Sequence, residues 1–330
     1  MKQAIRYIIA ITVTAAALYL AFRGQDFGKM LDELSHANII SLALLVLFQL
    51  LAHLVRAWRW RYLLRPLKQQ TSLWISFKAV VAGYAFNNVI PRSGEFARPA
   101  LMAKVENIPF AGALATIIVE RIFDVIALGA LVIFSLSQYN DAITRAFPDF
   151  AGAAIPVLII VAVGLIIFVL VFLSRRFEEF LIRIIRKILP VKIAEIVVKI
   201  LDAFTKGLRG VERSSFIPLV LGTILIWLFY GLSMYFSFGA LPGSGIENIN
   251  YAGSFLLLML SAVAMTIPTP GGVGTYHYFI SQALILIFGI TQTSAIAFAT
   301  ITHGVQFIII TLIGLLFAFT EGVRFKGKGE

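Results

Sequence analysis

Three stretches of this chain, Asn38–Val55, Phe216–Leu241 and Thr293–Phe319, contain no Asp, Glu, Lys or Arg. A bilayer's hydrocarbon core is about 30 Å thick and takes roughly 20 apolar helical residues to cross. Backbone polar groups inside it must be satisfied within the segment, so such runs fold as helices. The chain is 59% hydrophobic and 14% charged, against roughly 25% charged residues in a soluble domain. Water is therefore not its main solvent. Ile5–Phe22, Phe110–Ser137 and Ile155–Leu173 are further candidate full-length spans; the first has a short basic start, Lys2 and Arg6, ends in a poor cleavage site and reads as a retained helix. The expected fold class is an all-α polytopic membrane helix bundle forming one transmembrane domain over residues 1–330.

The chain has no cysteine, which excludes disulfides, a thiol nucleophile and cysteine-ligated metals. Its four histidines, His36, His53, His277 and His303, show no metal-ligand spacing, and no metal or cofactor is expected. The formal charge of +11 reads as cytoplasmic loops and contact with anionic lipid, not as nucleic-acid binding. Arg56, Arg59, Arg61, Arg65 and Lys68 form an acid-free stretch after the second span and should face the cytoplasm, with Trp58, Trp60 and Tyr62 making an aromatic and basic interface anchor. The basic stretch Arg175–Arg213 should face the same side. It carries Phe177, Phe180, Leu181, Ile184, Ile185 and Ile188 at helical spacing, as amphipathic helices on the membrane surface do. Gln138–Gly152 and Pro242–Tyr251 should face outward. Both termini are then cytoplasmic, the tail through Arg324, Lys326 and Lys328, and the location is the cell (inner) membrane.

Counting crossings leaves two segments that must leave one face and return to it, Leu73–Asn107 and Ala252–Gly289. Both are broken by proline and glycine, and both read as re-entrant hairpins. Asn88–Glu95 and Met265–Gly272 share Ile-Pro-x-x-Gly, and Ile108–Asp124 aligns without a gap on Ile290–Gln306, pairing Arg121 with His303. The expectation is two span–hairpin–span units, residues 38–137 and 216–319, inserted in opposite senses, with the surface helices of 175–213 between them. In transporters such paired, interrupted segments mark the binding site.

The first hairpin supplies Asn87, Asn88, Arg92, Glu95 and Arg98 around Pro91 and Gly94. A broken helix leaves free N–H groups, and two arginines beside them suit a phosphate; a lipid-contacting surface loop would use the same residues. Glu120, Arg121 and Asp124 lie in the middle of an apolar span, where each charge costs at least about 2.5–3.5 kcal/mol unless partnered. They either line a polar cavity for a substrate or proton or tie helices together as an ion network. The second hairpin packs Pro268, Pro270, Gly271, Gly272 and Gly274 into a short turn, which lets backbone amides approach an anion or a helix closely. No lysine follows the glycines as a nucleotide loop requires. His303 is the counterpart of Arg121 in the alignment, or a packing residue.

The motifs Arg56-x-x-Arg59-Trp60, Asn87…Pro91-x-x-Gly94-Glu95-x-x-Arg98, Glu120-Arg121-x-x-Asp124 and Pro268-x-Pro270-Gly271-Gly272-x-Gly274 resemble the lysylphosphatidylglycerol synthase transmembrane region family, also called flippase-like integral membrane proteins, over about residues 5–320. The resemblance implies movement of a charged lipid between leaflets; other relatives are linked to polyprenyl-phosphate sugar metabolism. No aminoacyl-transferase domain follows within the 330 residues, so synthesis of aminoacyl lipid is not expected. His277 stands where many relatives carry an acidic residue. The expected function is a flippase for an anionic, aminoacylated or polyprenyl-phosphate lipid. Arg92, Arg98 and Arg121 would hold its phosphate, while Glu95, Glu120 and Asp124 hold those arginines or meet a cationic headgroup. With no nucleotide motif, movement would run downhill or on a proton or cation gradient. The expectation is that the chain is not an enzyme. A membrane enzyme of polyprenyl-phosphate sugar metabolism and a non-transporting scaffold are the alternatives.

Overall fold

The computed structural model describes residues 14–24, 26–148, 174–191 and 215–323, with isolated positions outside those stretches. The expected span Ile155–Leu173, the start of the first span, most of the surface stretch beyond Val191 and the basic tail lie outside the described residues. Within them the chain is helical, and no strand occurs.

Short polar residues set the helix starts. Residues 14–22 are helical, bar an undescribed gap before them. Asp26 caps α1 (Phe27–Ser35) by accepting from the Gly28 and Lys29 amides, and Asn38 caps α2 (Ile39–Leu64) the same way. Ser72 caps α3 (Leu73–Val89). The chain turns at Pro91 into α4 (Gly94–Glu106), which ends at left-handed Asn107. Helix α5 (Phe110–Ala146) is broken at Tyr139, and α6 (Arg175–Ile188) is capped by Ser174. The second half comprises α7 (Phe216–Ser237), α8 (Tyr251–Ala264), α9 (Thr275–Phe288) and α10 (Gln292–Val323).

Two boundaries differ from expectation. Helix α2 does not stop at Val55 but continues through the basic stretch to Leu64, burying Arg56 and Arg59; those two arginines are not loop residues, and only Arg65 and Lys68 of the set lie beyond the helix. Helix α5 takes in much of the outer loop expected at Gln138–Gly152. Expected amphipathic residues from Phe177 to Ile188 do lie on one helix, α6.

Ile39–Leu64, Phe216–Ala240 and Gln292–Glu321 are long and apolar enough to cross a membrane. Their outer faces expose Ile39, Ile217, Leu312 and Phe319, a cost in water but none in lipid. Helices α3, α4, α8 and α9, of 17, 13, 14 and 14 residues, reach about 20–25 Å at 1.5 Å per residue, short of the core's thickness.

Three helix pairs pack antiparallel. Helix α2 runs along α7, with the Ser233 hydroxyl donating to the Leu45 carbonyl at 2.7 Å and Gly222 backed by the Arg59 stem. Helix α3 runs along α10, joined by the Lys78–Glu321 ion pair at 2.7 Å, by Gly314 against Ala85, and by Asn88 donating to Thr311 at 2.8 Å. Helix α8 runs along α5 through Phe255–Phe134 and Asn250–Tyr139 contacts. One apolar core gathers Leu256, Met259, Ile280, Leu284 and Phe298; another gathers Trp60, Leu63, Val80, Met102 and Ile117.

Candidate functional site

The second core encloses charge. Glu120 and Asp124, one turn apart on α5, face Arg56 and Arg59, which are spaced three apart on α2. Arg56 Nη1 lies 2.6 Å from Glu120 Oε1 and 2.7 Å from Asp124 Oδ2. Arg59 Nη2 lies 3.0 Å from Asp124 Oδ1, and its Nη1 donates to Thr223 of α7 at 2.6 Å. Arg98 of α4 completes the group, donating to Glu120 Oε1 at 3.0 Å with its other amino nitrogen 2.9 Å from Oε2. Its guanidinium stacks on Trp60 at 3.7 Å, and Trp60 donates to Thr116. Arg59 and Glu120 are 0% exposed.

Burying single charges this deeply is prohibitive, and only the mutual pairing makes it tolerable. The pairing is incomplete. Among the described residues, three buried arginines face two buried carboxylates, leaving one positive charge in excess, and the Nε atoms of Arg56, Arg59 and Arg98 have no acceptor there.

Arg98 reaches the cluster because α3 and α4 touch backbone to backbone. A side chain at Gly94 would collide with the Gly83 carbonyl, and Asn87 accepts from the Gly94 amide at 2.7 Å. Ser93 donates to the Phe86 and Ile90 carbonyls, and Arg92 takes φ +64. A polar groove opens between this hairpin and α5, lined by Gly83, Tyr84, Asn87, Glu95, Arg98 and Arg121. Its cavity is about 20 Å³, room for about one water. At its mouth Arg121 lies 3.6 Å from Glu95 and 3.5 Å from Asp124, with both Arg121 and Glu95 about two-fifths exposed.

Of the residues singled out from sequence, Asn87, Glu95, Arg98, Glu120, Arg121 and Asp124 come together. Arg92 sits exposed at the hairpin tip and joins none of these ion pairs. Asn88 faces α10. Pro268 is exposed, while Pro270 opens a short 3₁₀ turn, Pro270–Gly272; Gly271 and Gly272 within it and Gly274 beyond it all have positive φ. The space where a Gly271 side chain would go is closed by Phe307 and Asn88, so the two hairpin tips meet there. His303 contacts the Gly271 carbonyl at 2.9 Å rather than any residue of the ionic cluster. Sequence reasoning missed Arg56 and Arg59 as site residues, along with Tyr84, Thr223 and the Lys78–Glu321 pair. The signal was present for the first two: carboxylates four apart on an apolar helix demand partners, and Arg56 and Arg59 share one helical face.

Fold and site define an all-helical membrane protein that holds a charge-unbalanced arginine–carboxylate cluster beneath a helical hairpin. The chain belongs to the lysylphosphatidylglycerol synthase TM region family, whose model matches residues 7–314. It is 23% identical to a protein named glycosyltransferase AglD from Haloferax volcanii, over 95% of this chain and 54% of that relative. It is 24% identical to UPF0104 membrane protein MJ1595 from Methanocaldococcus jannaschii, over 99% of this chain and 98% of that relative. The chain thus spans about half the length of the first relative and nearly all of the second. No solved structure matches. The first relative corrects one expectation: the chain cannot be set apart from enzymes, since a protein named as a glycosyltransferase is similar to it over nearly its whole length. The absence of a nucleotide motif was too weak a ground for that exclusion.

Proposed function

We propose that this protein binds the phosphate-bearing headgroup of a membrane lipid in the groove between the α3–α4 hairpin and α5, and passes that headgroup between leaflets. The observation that carries the reading is the surplus positive charge of the Arg56–Arg59–Arg98 cluster, lying directly under a groove whose mouth holds a half-exposed arginine. An uncompensated charge in low dielectric calls for an anion, and a planar guanidinium suits phosphate. The groove as it stands admits a water and no more, so headgroup entry requires the hairpin to move off α5. The acyl chains stay in the bilayer.

An inverted repeat supports such movement. Helix α3 packs on α10 as α8 packs on α5, both antiparallel, and α2 packs on its own counterpart α7. This is the exchange of partners that a two-fold axis in the membrane plane would generate. Arg121 contacts Glu95 of the first hairpin, and its aligned counterpart His303 contacts Gly271 of the second. In this reading the two hairpins are re-entrant, each dipping from one face of the cell membrane, and both termini are cytoplasmic. Movement runs downhill or on an ion gradient.

A second reading makes the same groove part of an enzyme acting on lipid-phosphate sugars. The relative named glycosyltransferase AglD supports it, as does Glu95 beside Arg98 and Arg121, a carboxylate able to accept a proton next to cations able to hold phosphate. The test uses proteoliposomes carrying a fluorescent anionic lipid. Arg121→Ala, at a half-exposed position, should cut transbilayer movement at least about tenfold, while a neutral lipid probe is unaffected. Wild-type movement in this variant would sink the translocation reading. Sugar transfer from a nucleotide sugar to lipid phosphate by the purified chain, with no lipid movement, would install the enzymatic one.

A further inference from the structure

The second hairpin turns through Gly271–Gly274, and two histidines grip opposite ends of that turn. His303 Nε2 donates to the Gly271 carbonyl at 2.9 Å. His277 Nδ1 accepts from the Gly274 amide at 3.4 Å. The two rings lie edge to face with centroids 5.1 Å apart, and each residue is 6% exposed. The turn has no slack: Gly271, Gly272 and Gly274 all have positive φ, and the Cβ direction of Gly274 is blocked by Thr14, Ala17 and Leu18.

These two bonds respond oppositely to a proton. An imidazole nitrogen that donates keeps donating when the other nitrogen is protonated, so the His303–Gly271 bond survives. A nitrogen that accepts cannot carry a proton, so protonating His277 at Nδ1 sets one N–H against another and breaks the Gly274 bond. Among the described residues, the groups that meet the His277 ring are His303 from α10, Phe22 from the helical segment 14–22, and Tyr276 from α9. The Tyr276 hydroxyl is engaged with Thr302 at 3.3 Å, and no carboxylate is among them to hold an imidazolium in the closed turn.

We propose that His277 is a proton-binding site, and that taking up one proton at Nδ1 releases the Gly271–Gly274 turn, with His303 as the fixed anchor. The closed turn needs neutral His277, so a proton binds the open form better and shifts the population toward it as pH falls. One proton serves per turn, because a charged His277 repels a second on His303 at this separation. Use of that proton as the coupling ion rests on the translocation proposed above; the site itself does not, and the experiment reads the site alone.

Because the chain lacks cysteine, a single introduced thiol reports on the turn. Thr269→Cys probes a buried position in it, and Thr266→Cys, exposed one turn earlier, corrects for the thiol's own pH dependence. In phosphatidylcholine proteoliposomes without anionic lipid, the ratio of maleimide labelling rates should rise about tenfold between pH 7.5 and 5.5, within the hundredfold ceiling that one proton allows over two units. Adding His277→Gln should abolish the rise, whereas adding His303→Gln should leave it in place. A ratio independent of pH, or a rise that survives His277→Gln, would overturn the proposal. If Thr269→Cys itself loosens the turn and labels fully at both pH values, hydrogen exchange at the Gly272 and Val273 amides of the unsubstituted chain decides. These amides donate to Thr269 and Pro270 in the closed turn, and faster corrected exchange at pH 5.5 is required.

Discussion

The two helix pairs α3–α4 and α8–α9 are both broken by proline and glycine and are filled with opposite chemistry. In the first, glycines bring α3 and α4 into backbone contact at Gly83 and Gly94, and the gap beside them is charged: Glu95, Arg98 and Arg121 stand over Arg56, Arg59, Glu120 and Asp124. In the second, the glycines make the turn itself, and Tyr276, His277 and His303 pack against one another with no fixed charge among them. Permanent charge is suited to holding an ionic headgroup. Titratable neutral rings can only change state. Under the two proposals above, the first hairpin is a holding half and the second a switching half, and each can be attacked separately.

The largest effect should come from the heart of the holding half. Glu120→Gln removes the carboxylate that meets Arg56, Arg59 and Arg98 together, stranding buried positive charge at a cost of about 3–5 kcal/mol. Thermal unfolding in detergent should show a large fall in Tm. Pairing it with Arg98→Met should recover part of the loss, because the partner charge goes too. If Glu120→Gln left Tm unchanged, the cluster would not be the ionic core that ties α2, α4 and α5 together.

Next is the close approach of α3 and α4. Gly94→Ala drives a methyl group into the Gly83 carbonyl, and overpacking of this kind costs about 1–3 kcal/mol. The same substitution at Gly304, whose Cβ would meet nothing within 4 Å, should be close to neutral. Equal losses at the two sites would remove the argument that Gly94 is chosen for contact.

The hairpin tips themselves join at Asn88, which donates to Thr311 and abuts Gly271. Asn88→Ala should cost about 1 kcal/mol, the net worth of one hydrogen bond. Hydrogen exchange should show the loss at both tips if the two halves are coupled, and at the first alone if they are not.

How much of this was legible beforehand follows from range. Pro91, Gly94, Pro268 and Gly271 act on their own backbone, so the breaks between α3 and α4 and between α8 and α9 could be read from sequence. Glu120 and Asp124 were legible because an apolar helix makes carboxylates conspicuous. Their partners were not: Arg56 lies 64 positions away from Glu120. A basic run after an apolar span reads locally as an interface anchor, and only the third dimension turns two of its members inward. Lys78 and Glu321, 243 positions apart, were illegible for the same reason. The packing of α3 on α10 was not legible either, since the two helices lie far apart along the chain.

The smallest structural effect should be the most informative. Glu95 and Arg121 face each other across the groove mouth at 3.6 Å, both half-exposed, and a pair of this kind contributes about 0.2–1 kcal/mol. Glu95→Gln should therefore barely move Tm. Yet Glu95 is the carboxylate that a lipid phosphate would have to displace from Arg121. Removing its charge while keeping its shape should tighten binding of an anionic lipid, measured by fluorescence quenching in detergent, by roughly two- to fivefold for the loss of a competing contact of that size. The scaffold reading expects no change in lipid affinity, and the transferase reading expects loss of turnover with binding retained. A fall in Tm matching that of Glu120→Gln would mean that the groove mouth belongs to the structural core, and that the first hairpin holds only itself.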